Sequence, residues 1–263
     1  MSAAVMLTNK AYRAWLFLAL FMIPAHSGAE LPERVQIAAI YDEPTTAAGA
    51  AIVKRAYQRL GVDASVIITP SRRALMMANT GVFDGDLFRI GRVEQLFPNL
   101  IRVEHVLFRG TLRAVVRKGE THHLALPPPK LTKIAVRRGI IISELTAQNM
   151  GVIPVYANSN RQALSLLQSK RVDAAFFTFV AHFSPLEPRF LSGLHLVEEP
   201  MATFNLYHYL NLRQRELANA LPGVLRQMEE DGIIEEILES FRERQGEWSA
   251  DSSRNSIHLR TLE

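Results

Sequence analysis

Val35-Gln36-Ile37-Ala38-Ala39-Ile40, the stretch Ala47 to Leu60, and Val62-Asp63-Ala64-Ser65-Val66-Ile67-Ile68 together decide the fold. The first is an apolar run of strand length, as expected of a strand buried on both faces. Ala47 to Leu60 has helical spacing and is closed by Gly61, the residue that most cheaply takes the left-handed conformation at a helix end. Val62 to Ile68 alternates and is rich in β-branched side chains, which suits a second strand. Strand, helix and strand in this order make a βαβ unit, and therefore a parallel sheet. The spacing predicts a further helix over Ser71 to Asn79, with Ser71 as its N-cap and Gly81 just past its end.

Outward from this unit, Val103 to Arg117 is a long run of apolar and basic residues that ends in Lys118-Gly119 and the loop Pro127-Pro128-Pro129. It predicts a crossing strand followed by a boundary. The pattern then restarts: strand Lys133 to Val136, a turn at Gly139, helix Ser143 to Met150, strand Ile153 to Tyr156, helix Arg161 to Gln168 and strand Val172 to Phe177. A second α/β lobe follows from that alternation. Leu194 to Glu198 and Phe204 to Leu210 are strand-like, and Gln214 to Arg244 has helical periodicity interrupted at Pro222 and Gly232, so the chain can return to the first lobe. No internal repeat or long low-complexity tract is visible in the sequence.

The first residues have the character of an export signal. Lys10 and Arg13 precede an apolar run from Ala14 to Ile23 that is too short to span a bilayer, and Ser27-Gly28-Ala29 offers the small residues a signal peptidase accepts. The expected organisation is a signal peptide over 1–29, a first lobe over 30–113, a second over 114–202, a return to the first over 203–245, and a polar mobile tail over 246–263. The expected location is the periplasm. The chain has no cysteine, which excludes a lipid anchor, a disulfide framework and a thiolate nucleophile. Without Lys10 and Arg13, 28 basic residues face 26 acidic ones, too small an excess to suggest nucleic acid as a partner.

Three stretches resemble the extracellular solute-binding proteins of family 3, the amino-acid-type periplasmic receptors of ABC importers. Arg73-Ala74-Leu75 followed by Gly81-Val82-Phe83-Asp84-Gly85-Asp86 is similar to that family's helix and Gly-x-x-Asp strand entry. Leu166-Leu167-Gln168-Ser169-Lys170-Arg171-Val172-Asp173-Ala174 resembles its second-lobe signature, with Lys170 where glycine is usual. Met228-Glu229-Glu230-Asp231-Gly232-Ile233-Ile234-Glu235-Glu236-Ile237 is similar to its late helix pair. The resemblance implies a type II periplasmic-binding fold: two open α/β lobes joined by two crossing strands, near Thr111 to Val116 and Met201 to Tyr207, hinging around a ligand.

Candidate ligand residues follow. Asp86, Arg89 and Arg92 come after a predicted first-lobe strand, where a cleft loop belongs, and a guanidinium can hold a carboxylate through two hydrogen bonds. The resemblance places the carboxylate-binding arginine at Arg92, and Tyr41 and Asp42 at a strand end that contacts ligand. Arg73, at the start of its helix, is a further candidate. Arg138-Gly139 resembles the family's Gly-Thr turn, with Ile140, Ile141 and Ile142 in place of hydroxyl-bearing residues. Thr178 stands near the family's amine-binding aspartate, and Tyr207 and His208 lie on the return crossing.

No Gly-x-Ser-x-Gly elbow, phosphate loop or His-Glu-x-x-His is present, and the adjacent His122 and His123 lack the spacing of a metal pair. The expectation is a monomeric binding protein with no cofactor, no metal and no catalytic centre. It takes a small, carboxylate-bearing, amino-acid-like solute for delivery to an ABC permease. Two alternatives stand beside it: an orphan receptor docking a membrane sensor, and a periplasmic dehydratase using Asp86 or His208 as general acid.

Overall fold

The computed structural model describes residues 31–41, 45–125, 128–129, 131–181, 183–187 and 190–244. The expected signal peptide, Asp42 and the expected tail lie outside the described residues. Ten strands among the described residues form one sheet, which opens with the predicted βαβ unit: β1 (Arg34–Ala39), α1 (Thr45–Arg59) and β2 (Asp63–Ile68), with β1 and β2 parallel. After α2 (Ser71–Asn79), β3 (Gly85–Ile90) pairs with β1 on its other side, also parallel. The short β4 (Leu100–Arg102) and the long β5 (Phe108–Arg117) follow.

The second half repeats the scheme with β6 (Lys133–Arg137), α3 (Ile141–Met150), β7 (Ile153–Ala157), α4 (Asn160–Gln168), β8 (Ala174–Val180) and β9 (Leu194–Leu196). Strand β10 (Ala202–Asn211) then returns to β3, and α5 (Arg215–Glu230) and a last helix, α6 (233–244), finish the chain. The sheet order is β2-β1-β3-β10-β5-β8-β6-β7, with β4 on β10 and β9 on β5. Each long strand serves both lobes. Ala202 to Leu206 of β10 pairs with β5 and Leu206 to Leu210 with β3, while Gly110 to Val116 of β5 pairs with β8.

The two lobes are therefore the same motif built twice, although no repeat shows in the sequence. The ladder explains two of the quoted motifs. Asp84 exchanges bonds with Gln36, its N–H donating to the Gln36 carbonyl and its carboxylate accepting from the Gln36 N–H, each at 2.8 Å. Asp173 does the same with Lys133 at 2.8 and 2.7 Å. Both aspartates lock the entry of an inner strand to its parallel neighbour.

Strand periodicity sorts the second lobe's core. Val115, Ala135, Ala175 and Phe177 are buried on one face with Leu164 and Leu167 of α4. Ala114, Val116, Ile134, Val136 and Phe176 are buried on the other with Ala147 of α3. Helices cover both faces, as continuous apolar strands require. Helix α4 is capped by Ser159, whose hydroxyl accepts from the Gln162 N–H at 3.1 Å.

Two local expectations are corrected. Ser71 is the first residue of α2 and does not cap it; its hydroxyl donates instead to the Gly139 carbonyl of the other lobe at 2.8 Å. Helix α5 also runs through Pro222 without a break. Leu217, Leu221, Leu225 and Met228 keep one buried stripe through that point, and their burial offsets the roughly 3 kcal/mol an interior proline costs. Gly232, at φ +75°, does end the helix. Among the described residues, no helix is long and apolar enough to cross a membrane.

Candidate functional site

The carboxyl ends of β1, β3 and β8, the N-terminus of α3 and the crossing strand β10 converge on a cleft between the lobes. It holds about 470 Å³ of empty space, counting its mouth. Ile40, Phe88, Ile90 and Leu206 wall it from the first lobe's strands, and Phe204 lines it from the crossing. From the second lobe come Val180, Thr178 and the run Gly139 to Ile142. Among the described residues of this lining, the charged side chain is that of Arg89.

Arg89 reaches the cleft because β3 is irregular. Tyr207 pairs with Arg89 and Tyr209 with Asp86, so two steps along β10 match three along β3. The extra residue is a β-bulge, opposite His208. In an unbroken strand, residues three apart point to opposite faces; the bulge brings Asp86 and Arg89 to the same side, where Arg89 Nη2 donates to Asp86 Oδ2 at 2.7 Å. Strand β8 has an unbroken register against β5, so the second lobe has no counterpart. There Thr178 pairs with Leu112 as Ile90 pairs with Leu206.

His208 secures the bulge. Its Nδ1 lies 3.0 and 3.1 Å from the carbonyls of Asp86 and Leu87, both acceptors, so Nδ1 carries the proton. Nε2 then accepts from the Tyr57 hydroxyl of α1 at 2.9 Å. Burial pushes the His208 pKa down to about 4 and pushes the Tyr57 phenol up. A ring so engaged, 1% exposed and outside the cleft lining, is a structural part of the first lobe.

The Asp86–Arg89 pair is also desolvated, at 1% and 5% exposure. Burial raises the Asp86 pKa to about 6 against the lowering effect of Arg89. Arg89 Nε and Asp86 Oδ1 are buried with no hydrogen-bond partner among the described residues. An unmet buried donor is costly, and Arg89 is a residue of the cleft lining.

Opposite it, α3 begins at Ile141 with Ile140 as a cap that offers no side-chain acceptor. The backbone N–H groups of Ile141 and Ile142 meet no acceptor among the described residues, whereas the Gly139 N–H is taken by Glu144 Oε1 at 2.7 Å. Gly139 adopts φ +80°, and a Cβ there would lie 2.6 Å from Ser71 Cβ, so the two lobes touch at a point that only glycine permits. Arg137 reinforces this rim by donating to the Tyr41 carbonyl.

Of the candidates named from sequence, the structure brings Arg89, Gly139 and Thr178 together in the cleft lining, with Asp86 behind Arg89. The other described candidates stand outside the lining. Arg92 is exposed on the turn after β3, and Arg73 is exposed in the first turn of α2. Tyr41 is exposed at the rim, and Arg138 lies over the Tyr156 ring at 5.0 Å. Tyr207 is half-buried beneath Arg102, 4.7 Å from its ring centroid. Sequence reading missed Ile40, Phe88, Ile90, Val180, Phe204 and Leu206 as lining; the first four have the signal of lying at or near a strand's carboxyl end, and the last two lie within the crossing strand β10.

No family model matches the sequence, and no curated protein matches it. Solved structures do match in fold. An ancestral arginine-binding protein bound to glutamine aligns with a TM-score of 0.66 at 19% identity, over 81% of this chain and 99% of that one. The GluR0 ligand-binding core from Nostoc punctiforme in complex with glutamate aligns at 0.65 and 13%, over 79% and 98%. An amino acid ABC transporter substrate-binding protein from Streptococcus pneumoniae, bound to arginine, aligns at 0.63 and 14%, over 80% and 94%. The fold is thus the type II periplasmic-binding fold seen in amino-acid-binding proteins.

Proposed function

We propose that this protein binds a small carboxylate-bearing solute in its interlobe cleft, outside the cytoplasm, by closing its lobes, and delivers it to an ABC importer. The observation that carries the reading is Arg89, a buried arginine of the cleft lining whose Nε has no partner among the described residues. A planar cation of this kind fits a carboxylate. The free N–H groups at the start of α3 add donors from the opposite wall. The cross-lobe contacts Ser71 to Gly139 and Arg137 to Tyr41 support closure as the binding motion. The solved structures of similar fold are described as amino-acid-binding proteins, one of them an ABC substrate-binding protein, which supports the importer.

The test begins with protein refolded from denaturant to strip carried-over ligand, then heated with a panel of amino acids and carboxylates. At least one carboxylate is expected to raise Tm, since a hundredfold excess over Kd contributes about 2.7 kcal/mol. A panel with no shift contradicts the reading. Uptake of the positive compound, lost on deleting the gene and restored by returning it, tests delivery.

A further inference from the structure

The cleft is apolar almost throughout, and its polar groups share one character. Arg89 and the N–H groups of Ile141 and Ile142 are donors, and Thr178 supplies a hydroxyl. Among the described residues, no carboxylate is in the lining. Asp86 lies behind Arg89 and is bonded to it, and Glu144, the acid in the first turn of α3, is bonded to the Gly139 N–H. A ligand carboxylate therefore has partners. An ammonium group would meet isoleucine side chains and the positive charge of Arg89, and burying an unpaired cation there is costly.

We propose that the cleft selects monocarboxylates with an apolar body and no α-ammonium group, the carboxylate on Arg89 and the α3 N–H groups and the body against Ile140, Ile141 and Ile142. This rests on the carboxylate reading above and narrows it. Burial of aliphatic or aryl surface against Ile40, Phe88 and Leu206 supplies the binding energy. Thr178, in the wall opposite β3, brings a hydroxyl and no negative charge to the lining.

The test is calorimetric titration of the refolded protein with matched pairs that share a carbon skeleton: valine and 3-methylbutanoate, leucine and 4-methylpentanoate, phenylalanine and 3-phenylpropanoate, with 4-methylpentanamide as the uncharged control. In every pair that binds, the deaminated acid is expected to be tighter by at least about thirty-fold, and Thr178→Asp is expected to shrink that ratio at least tenfold by giving the ammonium group a partner. An amino acid that binds as tightly as its deaminated partner overturns the inference while leaving the carboxylate reading in place, all the more if the Asp42→Asn variant loses that binding. An amide equal to its acid overturns the carboxylate reading, and no binding by any member overturns the inference while the broad thermal-shift panel decides the carboxylate reading.

Discussion

At the residue scale, one irregularity does most to make the site. The bulge in β3 turns Arg89 to the side of Asp86, and His208 holds the bulge's carbonyls from the neighbouring strand. Because His208 is buried and neutral, with a pKa depressed to about 4, its contribution to stability is present above its unfolded value near 6.5 and is lost as pH falls toward 4. Asp86 works in the opposite sense. Its pKa is raised from 3.8 to about 6, so folding is favoured by its protonated form and loses that advantage as pH rises through this window. His208→Gln removes only the first effect. The variant is expected to be less stable than the parent at neutral pH, and the deficit to shrink as pH falls from 6.5 to 4, with a slope of up to about 1.4 kcal/mol per unit. Urea unfolding at a series of pH values measures this; a deficit independent of pH would show that His208 is not held neutral.

At the element scale, the order of strands and helices was legible because each buried strand is an apolar run and each helix is bounded by turn residues. Ser71 to Asn79 was placed to the residue, and β1, β6 and α4 to within one or two. Three features were hidden for physical reasons. Bulge parity leaves no trace in hydrophobic spacing, because every residue of β3 is buried. The exposed Arg92 and the cleft-lining Arg89 stand three residues apart, and only the bulge settles which faces the cleft. Proline's helix-breaking tendency in α5 is overridden by tertiary burial. Lys170, placed where the resemblance expects glycine, does take φ +57°. The left-handed conformation costs an L-residue about 1–2 kcal/mol, against about 0.5–1 kcal/mol for glycine's extra freedom when unfolded. Lys170→Gly is therefore expected to stabilise the second lobe by about 0.5–1 kcal/mol, seen as a higher urea midpoint at unchanged slope. An unchanged or lower midpoint would contradict that conformation.

At the scale of the whole molecule, one α/β motif is used twice, with β5 and β10 running through both copies and the cleft between them. The duplication was invisible as sequence, because the ladder constrains only burial and the paired entries Asp84 and Asp173, not residue identity. The two copies differ where it matters for binding. The first lobe carries the bulge and its arginine, and the second presents a helix start flanked by three isoleucines.

The central claim is that Arg89 receives the ligand's carboxylate, and the direct measurement is affinity for the carboxylate that gives the largest thermal shift, titrated into three proteins. Arg89→Ala alone would strand Asp86 without a partner, so the test variant is the neutral pair Asp86→Asn with Arg89→Gln, which can keep a hydrogen bond between the two positions. The account predicts that this folded variant loses about 2–5 kcal/mol of binding, while Arg92→Ala binds like the parent. Affinity retained by the neutral pair and lost in Arg92→Ala would contradict it.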